Sequence, residues 1–141
     1  MKKLIFMIAI MGMLSASYAQ NLSPNDVPPV VSKAFVKSHA KITTIEWTKA
    51  GENYKANYVV DSLGRSVTYN VKGKVIETET QISVAALPTP VIKYINENYK
   101  DGYVKKSSKI TNAKGKTMYS VKIKDLDLMF DVNGKLMPAN S

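Results

Sequence analysis

The chain has no cysteine, a single histidine (His39), a single arginine (Arg65) and a single tryptophan (Trp47). Each scarcity excludes something. Without cysteine there is no disulfide, no thiolate nucleophile and no lipid-modified anchor cysteine. With no cysteine and no second histidine there is no Cys–His pair and no histidine-based metal cluster. His39 falls where a first helix should end, and a cation there suits the helix dipole. One arginine is a poor complement for reading nucleic acid, which favours the planar two-pronged guanidinium over lysine. Long apolar runs are also missing. Leu4 to Leu14 is uncharged and apolar, but a membrane span needs about 20 such residues.

That short run has another use. Lys2 and Lys3 precede it and Ser17-Tyr18-Ala19 follows it, the layout of a secretory signal cut between Ala19 and Gln20. The expectation is an exported chain, periplasmic or secreted, of residues 20–141, with no membrane span once the signal is gone. That length suits one domain with one core. With no disulfide available, packing and hydrogen bonds hold it together.

What the sequence has in excess is lysine, placed unevenly. The formal charge is +9, and +7 without Lys2 and Lys3. Residues 100–124 carry eight lysines against one acid, Asp101. The remainder of the exported chain is balanced. A lysine-rich surface implies solubility or loose attraction to an anionic partner.

The second abundant feature is self-similarity. Val27-Pro28 opens one pattern and Leu87-Pro88 opens another, sixty residues on. The spacing predicts a short helix over about 28–38, with Asn25 or Asp26 as cap and Val30, Val31, Ala34, Phe35 and Ser38 on one stripe. It predicts a second helix with Thr89 as cap, Pro90 at the first helical position, Val91, Tyr94, Ile95 and Asn98 as the stripe, and Gly102 as terminator. Period-two runs follow: Tyr54 to Val60, Val67 to Val71, Ile76 to Ile82, Met118 to Lys124 and Leu126 to Val132. These read as half-buried strands. Gly51, Gly64, Gly73, Gly115 and Gly134 fall between them as turn residues. The connections are too short for parallel crossovers, so the strands are expected to be antiparallel. Residues 20–26 read as a polar lead-in and 84–87 as a linker.

Aligned, the two patterns agree at inward positions: Tyr54 with Tyr119, Ala56 with Val121, Tyr69 with Phe130 and Val71 with Val132. They disagree at outward ones. The expected fold class is therefore α+β, a tandem repeat (about 27–82 and 87–137) of a short helix plus antiparallel strands. Both helices would lie on one face of a twisted antiparallel sheet. The other face would be open and polar, carrying Lys55, Asn57, Thr68, Met118, Ser120, Lys122, Lys124, Asp127 and Met129.

Chemical candidates are few. Asp125, Asp127 and Asp131 share a strand face, but the sequence lacks the glycine and terminal glutamate of a calcium loop. Glu77 and Glu79 share another. Two carboxylates on one short strand, with no pocket signal, do not make a glycosidase. Trp47 with Ile45 reads as a core anchor, with a partner hot spot as the alternative. No cofactor is indicated.

The Val-Pro-x-x-Val…Phe pattern at 27–35, Ile45-Glu46-Trp47, the Tyr54 strand and Tyr69 to Val75 resemble the PepSY-like family of exported bacterial proteins. So do Leu87-Pro88…Val91…Ile95, Tyr119 and Phe130 to Leu136. That family's fold is similar to the β-lactamase inhibitory protein, although those inhibitors contain disulfides and this chain has none. The resemblance implies a non-enzymatic module that binds, and in some relatives inhibits, another exported protein such as a hydrolase or peptidase. Lys55, Asn57, Lys105, Lys109, Met118, Lys122 and Lys124 are the expected partner-binding residues. The alternative is that the lysines of 100–124 hold an anionic envelope glycan or lipid headgroup.

Overall fold

A computed structural model describes residues 20–138. The expected signal segment, 1–19, lies outside the described residues. The elements run β1 (Gln20–Leu22), α1 (Pro29–Ser38), β2 (Glu46–Ala50), β3 (Asn53–Val60), β4 (Leu63–Tyr69) and β5 (Val75–Ile82). They continue with α2 (Thr89–Asn98), β6 (Val104–Asn112), β7 (Thr117–Ile123), β8 (Leu126–Asp131) and β9 (Leu136–Met137). Among the described residues the strands form one antiparallel sheet in sequence order, β1 through β9. Each strand pairs with the next, so no strand has to be brought in from far along the chain.

Each helix is preceded by a single 3-10 turn, Pro24–Asp26 or Val84–Ala86. These turns replace the expected side-chain caps. Asn25, Asp26 and Thr89 cap neither helix; Pro28 and Pro88 stand at the N-caps with no side-chain hydrogen bond. Proline's fixed φ sets the entry angle there, and its missing N–H costs nothing at a helix start. The 84–87 segment is more than a linker, because Leu87 is a buried core residue. Residues 27–40 and 87–100 show the same order of buried and exposed positions throughout.

The helices are amphipathic, and each covers its own apolar cluster. Val31 and Phe35 of α1 pack with Val27, Trp47, Ala56, Val67 and Tyr69. Val91 and Ile95 of α2 pack with Leu87, Val121, Ile123 and Phe130. Burying each such side chain contributes roughly 1.5–3 kcal/mol. Of the two predicted stripes, Val30, Ser38 and Asn98 are exposed instead. Trp47 takes the core-anchor role, edge-on to Phe35 at 5.8 Å between ring centroids.

Three turns share one geometry. The side-chain Oδ1 of Asn70, Asn112 and Asp131 each accepts two backbone N–H bonds, from the residues two and four positions on, at 2.9–3.0 Å. Gly73, Gly115 and Gly134 close these turns at φ near +78°. Gly73 and Gly134 have a second reason to be glycine. A Cβ on Gly73 would meet the Val30 carbonyl oxygen at 2.9 Å, and one on Gly134 would meet Pro90 Cβ at 2.4 Å. The turns press against the first turns of α1 and α2. Val71 and Val132, expected to point inward, sit in these turns and are exposed.

Two expected glycine roles change. Gly64 lies within β4 opposite Val59, and Asp61 and Ser62 make the hairpin turn with positive φ. Gly102 follows the helix end at Asn98 without left-handed φ; a Cβ there would strike Ile123 at 2.6 Å.

Candidate functional site

Residues directly opposite one another across a ladder share a sheet face, as do residues two apart along a strand. Following the registers from Lys55 gives one continuous surface. Lys55 lies opposite Thr48 and Thr68, Asn57 opposite Glu46 and Ser66, Thr68 opposite Glu77, and Ser66 opposite Glu79. Glu79 lies opposite Ile110, Ile110 opposite Met118, and Met118 opposite Asp131. Ser108 lies opposite Ser120, Ser120 opposite Met129, and Met129 opposite Met137. Trp47, Ala56, Val67 and Tyr69, under α1, belong to the opposite face.

The centre of this surface is an ion group. Lys55 Nζ donates to Glu79 Oε2 at 3.0 Å, and Lys106 Nζ stands 3.8 Å from Glu79 Oε1. The Lys55 and Glu79 side chains retain only 29% and 18% of their exposure. Burial alone would raise the Glu79 carboxyl. The Lys55 charge and hydrogen bond, the Ser108 hydroxyl and the Lys106 charge together outweigh it and hold Glu79 below the usual carboxylate range. Glu77, two residues away, moves the other way. Burial raises it, Lys55 lowers it in part, and the Glu79 carboxylate raises it further.

Around this group the surface is hydroxyl- and amide-rich and partly sunken. Thr48, Ser66, Thr68 and Ser108 are all buried, Ser108 to 1% exposure. Asn57 Nδ2 donates to the Glu46 carbonyl at 3.2 Å and to Thr48 Oγ1 at 3.1 Å, so its amide is already held. A groove of about 490 Å³ runs here, lined by Thr44, Glu46, Lys55, Asn57, Ser66 and Glu79 among others.

The structure separates the expected binding residues. Lys55, Asn57, Met118 and Lys122 share the surface. Lys124 does not, and its expected place on the open face is corrected: it is a turn residue between β7 and β8 with φ +54°. Lys105 is the extra residue of a bulge between Val104 and Lys106 in β6. Lys109 lies opposite Thr80 and Tyr119, on the face that carries the α2 cluster. The lysine run is thus spread over both faces, a bulge and turns. Glu79 and Ser108 enter the site without having been singled out as binding residues, and Lys106 was expected only among the lysines of 100–124 that would hold an anionic ligand. Their signal was the facing of a Glu-x-Glu strand and a Lys-x-Ser strand, visible only once β6 is known to be a strand.

The other candidates fall apart as sites. Asp125 lies in the β7–β8 turn, Asp131 spends Oδ1 on the backbone, and Asp127 stands 3.8 Å from Lys122. Among the described residues no group of three or more His, Cys, Asp or Glu side chains is placed to hold a metal ion. His39 stacks on Phe35 at 4.5 Å and meets Tyr58 at 5.2 Å, with Nδ1 3.3 Å from the Phe35 carbonyl. No helix of the described residues is long and apolar enough to cross a membrane.

The profile of one protein family matches the chain twice, over residues 13–77 and 52–138; the family is described as putative beta-lactamase-inhibitor-like, PepSY-like. The chain belongs to this PepSY-like family. Solved structures with a similar fold come from Bacteroides. A putative periplasmic protein of B. eggerthii aligns at TM-score 0.72 and 15% identity, covering 79% of this chain and 86% of that one. A DUF2874 family protein of B. ovatus aligns at TM-score 0.66 and 22% identity, with 79% and 86% covered. A BLIP-like protein of B. fragilis aligns at 0.60 and 24%, with 77% and 81% covered. At such identities the likeness shows the PepSY-like chain's fold alone. No curated protein matches it.

Proposed function

We propose that this PepSY-like chain is an exported, non-enzymatic module that grips another exported protein through the sheet face bearing Lys55, Glu79 and Lys106. In this reading the chain is a duplicated helix-plus-sheet unit with both helices on one face, which leaves the other free for a partner. The matching burial order of 27–40 and 87–100 supports the duplication. The observation that carries the function is the sunken polar surface itself. A monomer gains little from burying Glu79 among hydroxyls and two lysines, whereas a partner-facing groove needs polar groups held in fixed positions. The surface also offers Met118 and Met129 as adaptable apolar contacts.

Export rests on the leader-like residues 1–19 and on relatives described as periplasmic. Inhibition or regulation of an exported hydrolase or peptidase is the specific form that the family description suggests. Catalysis has less support: Glu79 is engaged by two lysines and the only histidine is stacked into the α1 cluster. The anionic-envelope reading also has less support, because the lysines of 100–124 do not converge.

The test is a co-purification from envelope and secreted fractions with three baits. Wild type and the helix-side variant Val36→Asp should retain the same partner, and Lys55→Glu/Met129→Asp should lose it. Retention by all three baits, or by none, sinks the assignment of this face.

A further inference from the structure

In a sheet whose strands run antiparallel in sequence order, every second connection falls at the same end. The β2–β3, β4–β5, β6–β7 and β8–β9 turns therefore share one end of the sheet. The last three lie side by side. The Ala113 N–H, in the β6–β7 turn, donates to the Ile76 carbonyl at 2.8 Å, just past the β4–β5 turn. Asp131, which opens the β8–β9 turn, lies opposite Met118, just past the β6–β7 turn. Successive tips are two strand spacings apart, roughly 10 Å. These are the turns that Asn70, Asn112 and Asp131 brace with the same pair of hydrogen bonds, so each tip has a fixed shape.

Charge is divided unequally between the two ends. The four turns carry Lys72, Lys74, Lys114, Lys116 and Lys135 against one acid, Glu52. None of these five lysines is in an ion pair among the described residues. At the other end the connections balance, with Lys41, Lys100 and Lys124 against Asp61, Asp101 and Asp125. Aliphatic side chains stand among the rim lysines. Val71, Val75, Val132 and Leu136, with Val30 beside Gly73, are 38–53% exposed. Val71 and Val132 hold the same place in two matching turns, and neither is buried in a core.

We propose that this rim docks the protein on an anionic lipid surface, with lysines among the phosphates and aliphatic tips in the interfacial layer. The combination decides the partner. Apolar groups spread over separate tips make no continuous patch for a protein, whereas lipid yields around each tip. A soluble polyanion would engage the lysines and leave the valines in water. A bilayer interface uses both: it takes apolar side chains at the headgroup–acyl boundary, and each lysine near an anionic surface adds about fivefold in affinity. Such contact needs no spanning helix. The set also differs from the 100–124 run, since Lys72, Lys74 and Lys135 lie outside it. Standing on its strand ends, the sheet keeps both faces free, so the proposal does not rest on partner binding.

The test is sedimentation with vesicles of phosphatidylcholine, with and without one third phosphatidylglycerol. The exported chain, residues 20–141, contains every described element of the fold, and its near-ultraviolet circular dichroism is first matched to that of the full chain. It should sediment with the anionic vesicles alone, and less as salt rises. Lys72→Glu/Lys116→Glu/Lys135→Glu should weaken binding by about a hundredfold or more. Lys41→Glu/Lys100→Glu/Lys124→Glu, of the same net charge, should weaken it by less than about threefold, because its changes lie beyond the screening length from the membrane. Val71→Ser/Val132→Ser, with no change of charge, should cost about fivefold. Failure to bind anionic vesicles, equal losses from reversal at either end, or valine variants that bind like wild type each overturn it. The last two would mean a general attraction of a basic protein to any polyanion.

Discussion

Tyr69 and Phe130 occupy matching places, opposite Tyr54 and Tyr119 and just before turns of identical hydrogen bonding. Both rings are buried, and only one carries a hydroxyl. That Tyr69 hydroxyl has no hydrogen-bond partner. The Ser38 hydroxyl, close enough to influence its titration, donates instead to the Ala34 carbonyl at 2.9 Å. An unsatisfied buried polar group costs about 1–3 kcal/mol. Tyr69→Phe should therefore be neutral or stabilise the fold by up to about 1–2 kcal/mol, measured by urea unfolding. A loss of more than about 1 kcal/mol would show that the hydroxyl is satisfied after all. A second matched pair shows how the clusters diverge. Trp47 sits opposite Ala56, and Ser107 sits opposite Val121. Where the tryptophan is absent, Ser107 Oγ donates to the Ile82 carbonyl at 2.8 Å, and Tyr94 packs edge-on to Phe130 at 5.3 Å. Missing indole volume on one strand is offset by a tyrosine on the helix above it.

At the scale of elements, β5 and β6 carry the most information and were unequally legible. The alternation of Ile76 to Ile82 marked β5. β6, Val104-Lys-Lys-Ser-Ser-Lys-Ile-Thr-Asn, was read as a charge run and not as a strand. Its apolar residues are only Val104 and Ile110, and the Lys105 bulge shifts the phase between them, so they point to opposite faces. Period two cannot survive a bulge, and a strand whose buried residues are two serines and a lone isoleucine carries almost no apolar signal. The helices, the hairpin strands and the Asn133-Gly134 turn were legible because one face of each meets a core. The site was not, because Glu79 and Lys106 become neighbours only through the β5–β6 register. The pair Glu77 and Glu79 on β5 gives a pH test. Glu79 is depressed in the fold, so its stabilising contribution is present above the unfolded carboxylate pKa of about 4.3 and fades as pH falls through its lower folded value. Glu77 is raised, so its ionisation opposes folding at neutral pH and that opposition is relieved as pH falls through its folded value. At pH 7 Glu79→Gln should lose about 1–2 kcal/mol and Glu77→Gln should gain stability. The Glu77→Gln curve should meet wild type once pH drops below the unfolded value, and the Glu79→Gln curve only at still lower pH. Parallel, pH-independent offsets across this range would show that neither carboxylate is coupled to the lysines.

The whole molecule combines a continuous sheet with a divided core. Hydrogen bonding runs unbroken from β1 to β9, yet the apolar clusters under α1 and α2 share no buried residue. What joins them is the β5–β6 ladder, six residue pairs from Glu77–Asn112 to Ile82–Ser107, with polar or charged side chains at most positions. Backbone hydrogen bonds contribute only about 0.5–1.5 kcal/mol each net, whereas deleting a buried phenylalanine ring costs about 3–5 kcal/mol. A lesion in one cluster should then be felt mainly on its own side, as in a chain of units coupled only to their neighbours. Phe35→Ala in native-state hydrogen exchange tests this. Amides of β2, β3 and β4 should exchange faster by about 10²–10³, the factor that 3–5 kcal/mol implies when part of the cavity collapses. Amides of β7 and β8 should change by less than about tenfold. Uniform acceleration across all nine strands would mean that the polar ladder transmits stability as well as an apolar core does. The polar surface around Lys55 and Glu79 would then be held rigid by both clusters at once. A divided response instead leaves the Lys55–Glu79–Lys106 group spanning the seam, where motion of one half against the other alters the distance between Glu79 and its lysines.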